Sequence, residues 1–171
     1  MSMKEKVIAL GFFDGVHLGH AALLRRTVEE AKKRGVTPAV FTFDRVPKEV
    51  ITGIPCPLIN SPDDRKDLLR RLYGIQDVIM VPFDDEMRTT AWDEFVTEIL
   101  VKRYHAVHLV AGHDHHFGHK NAGSPDLLMK KCAEVWVFGD RLSKQMESEI
   151  KKAEEINRPV RHFTKRCQEV R

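Results

Sequence analysis

Ten residues near the N-terminus, Gly11-Phe12-Phe13-Asp14-Gly15-Val16-His17-Leu18-Gly19-His20, stand between an apolar run and an amphipathic one. Val7-Ile8-Ala9-Leu10 precedes them and reads as a buried strand. After them Ala21, Leu24, Val28 and Ala31 recur at helical spacing. The order is therefore strand, glycine-rich turn, helix start, with two histidines in an H-x-G-H pattern at the junction. A helix N-terminus offers unpaired N–H groups and the positive end of the macrodipole, which suits a phosphate. Two imidazoles add donors aimed at the same anion. Glycines let backbone approach a ligand closely.

The same alternation continues along the chain. Strands are expected over 6–10, 37–43, 78–81, 107–111 and 134–138, and helices over 18–34, 62–73, 90–104, 124–131 and 143–156. Ser61-Pro62-Asp63-Asp64 has the composition of a helix start, with a capping serine, proline at the first position and acids in the first turn. Residues 44–57 hold three prolines and no clean period, so a loop or flap is expected there. Nearly continuous apolar strands alternating with helices predict an α/β fold: a Rossmann-like, doubly wound sheet of about five parallel strands with helices on both faces. Such sheets bind ligands beyond the carboxyl ends of their strands. The loops 11–20, 43–47 and 112–123 all leave such ends and should face one cleft.

Composition removes several classes. The 171 residues suffice for one domain with a proper core. A net charge of +3, with Lys and Arg interleaved with Glu, gives no nucleic-acid footprint. Cys56, Cys132 and Cys167 are odd in number and far apart, which is neither a disulfide framework nor a zinc finger and fits a reducing cytoplasm. No run of about 20 apolar residues is present to span a membrane. His105, His108, His113, His115, His116 and His119 crowd one region, but their spacing matches no zinc template. Phe41, Phe43, Phe95, Trp92 and Trp136 read as core, whereas Phe12, Phe13 and Phe117 sit in glycine-rich loops and are the better candidates for ligand contact.

Residues 11–20, Phe41-Thr42-Phe43-Asp44, Ser61-Pro62-Asp63-Asp64-Arg65-Lys66, Val81-Pro82-Phe83-Asp84, Trp92-Asp93-Glu94-Phe95-Val96 and Gly112-His113-Asp114-His115-His116-Phe117-Gly118 occur in one order. Together they resemble the adenylyltransferase module of bacterial bifunctional FAD synthetase, a member of the nucleotidyltransferase superfamily, over roughly residues 6–138. The resemblance implies transfer of an adenylyl group from ATP to FMN, giving FAD and pyrophosphate, with Mg²⁺. It implies His17 and His20 as the catalytic pair on the ATP phosphates. Gly11, Phe12, Phe13, Asp14, Gly19 and Ser143 complete the implied ATP site. Asp114, His116, Phe117 and Gly118 are implied beside the flavin phosphate, with Asp114 the candidate for a metal. Partners would be nucleotides and flavin, without nucleic acid or membrane, in the cytoplasm.

Three positions depart from the family pattern. Arg45-Val46-Pro47 stands where Pro-His-Pro is usual. His115 and His116 replace a Phe and an Arg; His lacks the permanent charge and the fork of Arg, so phosphate contact there should be weaker and pH-dependent. Of a late Ser-Ser-Ser/Thr-x-x-Arg motif only Ser143 matches. The expected organisation is a nucleotidyltransferase domain over 1–156 and a basic tail over 157–171, with no riboflavin kinase domain. The alternative is a diverged nucleotide- or flavin-binding module with weak or no catalysis, or a nucleotidyltransferase for another phosphate acceptor.

Overall fold

Successive side chains of a strand point to opposite faces of its sheet. In the computed structural model, β1 (Lys6–Leu10) sends Val7 and Ala9 into one buried cluster and Ile8 and Leu10 into another. A strand apolar on both faces needs cover on both. The structure describes residues 4–112, 115, 117–123, 135–138, 150–151, 154–155, 160–163 and 169–170.

Around β1 lie β2 (Thr37–Phe43), β3 (Asp77–Val81) and β4 (Ala106–Ala111), in the order β3-β2-β1-β4. Every neighbouring pair in this sheet is parallel. On one face sit α1 (Leu18–Arg34) and α3 (Pro62–Tyr73). There Leu24 and Ala31 of α1 and Leu69 of α3 close over Val7, Ala9, Val40 and Val110. Full burial of a side chain such as Leu24 is worth about 1.5–3 kcal/mol. On the other face α5 (Trp92–Glu94) runs on into a π-helix, Phe95–Arg103. Phe95, Val96 and Leu100 from it cover Ile8, Leu10, Ala39 and Phe41.

The α/β class holds, with a different strand count. Among the described residues the main sheet has four parallel strands, and β5 (Val135–Phe138) does not extend it. It pairs in parallel with β6 (Val160–Phe163), which pairs antiparallel with β7 (Glu169–Val170) in a separate three-stranded sheet. A four-residue strand takes its ladder from an extended partner within reach, and Val160-Arg161-His162-Phe163 has the β-branched and aromatic ends that favour extension. The basic composition of the 157–171 segment hid this. Within the stretch expected as loop, α2 (Pro47–Thr52) forms, opened by Pro47 at its first position. Asp84 also caps a short helix, α4 (Asp85–Thr89), through Met87 N–H. The helix expected over 124–131 lies outside the described residues. Of that over 143–156, residues 150–151 and 154–155 are described and helical. No helix among the described residues is long and apolar enough to cross a membrane.

The sheet-facing side of α1 also carries a buried ion pair, Arg26 to Glu30 at 2.9 Å. Lys33 and Arg34 approach the same carboxylate at 3.0 and 3.5 Å. His108 of β4 lies in the field of this group. Burial and then the charge of Arg34, with a smaller push from Arg26 and opposed by Glu30, hold its pKa down to about 4. Unfolding restores an ordinary imidazole near 6.5. Protonation between these values therefore favours the unfolded chain. The contribution to stability is complete above about pH 6.5 and is lost as the pH falls toward 4. Urea unfolding across that window should show a declining stability that His108→Gln flattens.

Candidate active site

The strand order singles out one end of the sheet before any side chain is considered. From β1 the chain passes through α1 to β2 on one side, and only after β3 does it return to β4 on the other. The carboxyl end of β1 is thus the switch point of the sheet, where doubly wound folds open a crevice. The 11–20 segment leaves from there.

Its path is fixed by a few hydrogen bonds. Gly11 N–H donates to Phe41 O at 3.3 Å. The Phe12 carbonyl accepts two donors, Thr42 Oγ1 and Arg65 Nη1, each at 2.9 Å. Phe13 then turns into the left-handed region, at φ 58, and its ring is fully buried. Both Asp14 oxygens hold the chain before α3: Oδ2 accepts from Ile59 N–H at 2.9 Å and Oδ1 from Asn60 N–H at 2.8 Å. Asn60 Oδ1 answers by accepting from Gly15 N–H at 3.0 Å. Gly15 has φ +66, a conformation that glycine adopts without Cβ strain.

The segment ends at the start of α1. His17 is the N-cap, and its Nδ1 accepts from His20 N–H at 3.4 Å. A neutral imidazole that accepts at Nδ1 carries its proton at Nε2, so His17 retains a donor at that nitrogen. His17 and His20 stack with ring centroids 3.7 Å apart and planes inclined by 21°. The Phe13 ring lies 5.1 Å from that of His20. The first N–H groups of α1, at Leu18 and Gly19, have no acceptor within the helix, and both residues are exposed. Two imidazoles and two amides at the positive end of a 17-residue helix are groups of a kind that could bind an anion with several oxygens.

Gly11, Phe12, Asp14 and His17 lie on the segment that leaves β1, and Gly19 and His20 in the first turn of α1. Phe13 differs from the expectation of ligand contact. Its left-handed backbone folds the ring into the core, where it supports His20. Phe117 is likewise core, 5.8 Å from the Phe95 ring, because mutual backbone hydrogen bonds with Gly123 turn it inward. Gly118 is a packing residue at φ +74, where a Cβ would lie 2.6 Å from Trp92 Cα. His119 is tied to the α4 end by N–H to Thr90 O at 2.8 Å and by Nδ1 at 3.2 Å from Arg88 O. Asp114, His116 and Ser143 lie outside the described residues. Among the described residues no group of three or more His, Cys, Asp or Glu could hold a metal ion.

Arg65 is the residue that sequence reasoning missed. It is fully buried, and its Nη2 donates to Phe43 O at 2.8 Å while Nη1 holds Phe12 O. Burial lowers its pKa from the ordinary arginine value, with Asp14 and Asp44 opposing. The available signal was its position four residues before Leu69, which puts both on the buried face of α3. A hollow of about 460 Å³ lies between α1 and α3, lined by Arg25, Val28, Glu29, Leu72 and Tyr73. It holds no cluster of catalytic groups.

Comparison with known proteins matches residues 1–154 to the FAD synthetase family. The bifunctional riboflavin kinase/FMN adenylyltransferase of Listeria monocytogenes is 35% identical over 128 residues, which are 74% of this chain and 40% of that protein. That of Escherichia coli K12 is 32% identical over 128 residues, 75% of this chain and 41% of that protein. The chain thus spans about 40% of the length of these curated relatives. A crystal structure of a protein described as a macrolide-efflux protein from Streptococcus pneumoniae superposes with a TM-score of 0.59 at 29% identity. The match covers 69% of this chain and 40% of that one.

Two glycines separate backbone strain from packing. Gly53 has φ +70 with nothing near an added Cβ, whereas Gly118 at φ +74 has the Trp92 backbone in the way. Gly53→Ala should cost about 1–2 kcal/mol, the left-handed penalty alone. Gly118→Ala should cost clearly more, as measured by urea unfolding of the two variants in parallel.

Proposed function

The chain belongs to the FAD synthetase family, and on that premise we propose that it transfers the adenylyl group of ATP to FMN, giving FAD and pyrophosphate. The observation that carries this reading is the stacked His17–His20 pair on the N-terminus of α1, at the switch point of the sheet. An oxygen of the FMN phosphate attacks the α-phosphorus of ATP in line. The new P–O bond forms as the bond from the α-phosphorus to the bridging oxygen breaks, and the electron pair leaves with pyrophosphate. No covalent enzyme intermediate is required. Catalysis is then positioning and charge stabilisation. The donors at His17, His20, Leu18 and Gly19 would take up the negative charge that grows on the departing phosphates.

The remaining roles follow the same loops. Gly11, Phe12 and Asp14 shape the nucleotide pocket, Asp14 through its hold on Ile59 and Asn60. Ser143 is assigned to the ATP phosphates, and Asp114 and His116 to the flavin phosphate, with Gly118 packed against Trp92. The family resemblance also implies Mg²⁺. The carboxylates tied to these loops do not fit an ion, since Asp14 is taken by two N–H groups and Asp44 by Phe83 N–H and Arg45. Asp114 remains the candidate ligand, and no step here passes through the metal. Scattered cysteines and a mild net charge support a cytoplasmic module with small-molecule rather than nucleic-acid partners. We take 1–156 as the catalytic module, with 157–171 supplying β6 and β7 to the small sheet.

A second reading, binding of nucleotide or flavin without turnover, rests on Ser143 being the only match to the late phosphate motif. Incubation of the purified protein with FMN, ATP and Mg²⁺, with FAD and pyrophosphate followed by chromatography, separates the two. FAD should accumulate. His20→Ala should lower kcat by about 10²–10³-fold, the usual effect of removing one charge-stabilising donor. Absence of FAD together with calorimetric binding of ATP or FMN would establish the second reading.

A further inference from the structure

Arg65 carries a charge that its surroundings do little to neutralise by direct contact. Both of its hydrogen bonds go to neutral carbonyls, Phe12 O at 2.9 Å and Phe43 O at 2.8 Å. Among the described residues its Nε has no hydrogen-bond partner. A buried guanidinium with neutral partners is costly, and an apolar side chain of similar volume would fill the space without that cost. What the apolar side chain would lack is the rigid fork. Two N–H groups at fixed spacing set two carbonyl oxygens at a fixed separation.

Those carbonyls belong to the ends of two neighbouring strands, the loop that leaves β1 and the last residue of β2. Arg65 itself is in the first turn of α3. One side chain therefore ties together three segments that meet at the switch point. The Phe12 ring also lies over the guanidinium, 4.2 Å from its carbon to the ring centroid, which holds Phe12 from a second direction. From there the contacts are continuous. Phe12 is bonded to Phe13, the Phe13 ring is 5.1 Å from His20, and His20 stacks on His17 at 3.7 Å.

We propose that Arg65 is a positioning residue for adenylyl transfer: by clamping the Phe12 and Phe43 carbonyls it fixes the loop that aims His17 and His20 at the phosphates. This rests on the function proposed above. Arg65 need not touch substrate. Lysine at this position would keep the charge and the stem but reach one carbonyl at a time, and methionine would keep only the volume.

Two readouts on Arg65→Met and Arg65→Lys test the assignment. The first is the imidazole ¹⁵N–¹H spectrum of His17 and His20 in the full chain, which needs no turnover. Both signals should move in Arg65→Met and move less in Arg65→Lys, while the circular dichroism of the folded chain is kept. The second is FAD formation in a double-mutant cycle with His20→Ala. Arg65→Met alone should lower kcat by about 10–100-fold, as expected when a reacting group is displaced by roughly 1 Å. The KM for FMN should stay within about twofold, and the loss should nearly vanish in the His20→Ala background, because residues that act as a unit are not additive. Unmoved His17 and His20 signals, or losses that multiply in the cycle, would overturn the assignment. If the unmodified protein makes no FAD, the proposed function fails and the spectra alone decide the clamp: shifted signals uphold it and unshifted signals overturn it. Should Arg65→Met not fold, Arg65→Lys carries both readouts.

Discussion

β1 is apolar on both faces, and the rest of the molecule is arranged around that fact. Val7 and Ala9 need one cover, Ile8 and Leu10 another. With α1 and α3 on one side and the π-helix on the other, the strand becomes the centre of a parallel sheet. Its neighbours are reached by windings in opposite directions, β2 early and β4 late. A crevice at its carboxyl end is the geometric result. The glycine-rich segment occupies that end because it is the next thing in the chain. Hydrophobic burial thus sets where the polar chemistry is displayed.

Holding that display still falls to polar groups. Strand ends leave carbonyls without ladder partners, and a loop among them needs other donors. Thr42 and Arg65 supply them to Phe12, and Asp14 and Asn60 bind the loop to the chain before α3. The third loop is secured by packing: Phe117 lies on Phe95, and Gly118 lies against the Trp92 backbone. The imidazole pair therefore stands on a base built from three separate segments. This division explains why residues expected to touch ligand, Phe13 and Phe117, are found in the core, Phe13 under His20 and Phe117 against Phe95.

What could be read from the sequence was what local chemistry decides. The strand at 6–10, the helix at 18–34 and the capped start at Ser61 are fixed by neighbours within a turn or two, and each stands where expected. The H-x-G-H segment was legible for the same reason. Contacts across long sequence separations were not. Arg65 reads as one more charge on a basic helix, and only its place beneath Phe12, 53 positions earlier, reveals its use. The partner of β5 could not be inferred from four apolar residues, and the basic character of the last segment concealed β6. Pro47 is one of the three prolines that suggest a loop over 44–57, yet proline also serves as a first helical residue, as it does in α2.

The central claim is that the start of α1, with His17 and His20, receives the triphosphate. A crystal structure of the protein with a non-hydrolysable ATP analogue tests it most directly. The expected result places phosphate oxygens on the Leu18 and Gly19 amides and on the two imidazoles, with the adenosine in the crevice beyond β1. Nucleotide bound in the hollow between α1 and α3, with the 11–20 segment empty, would contradict it.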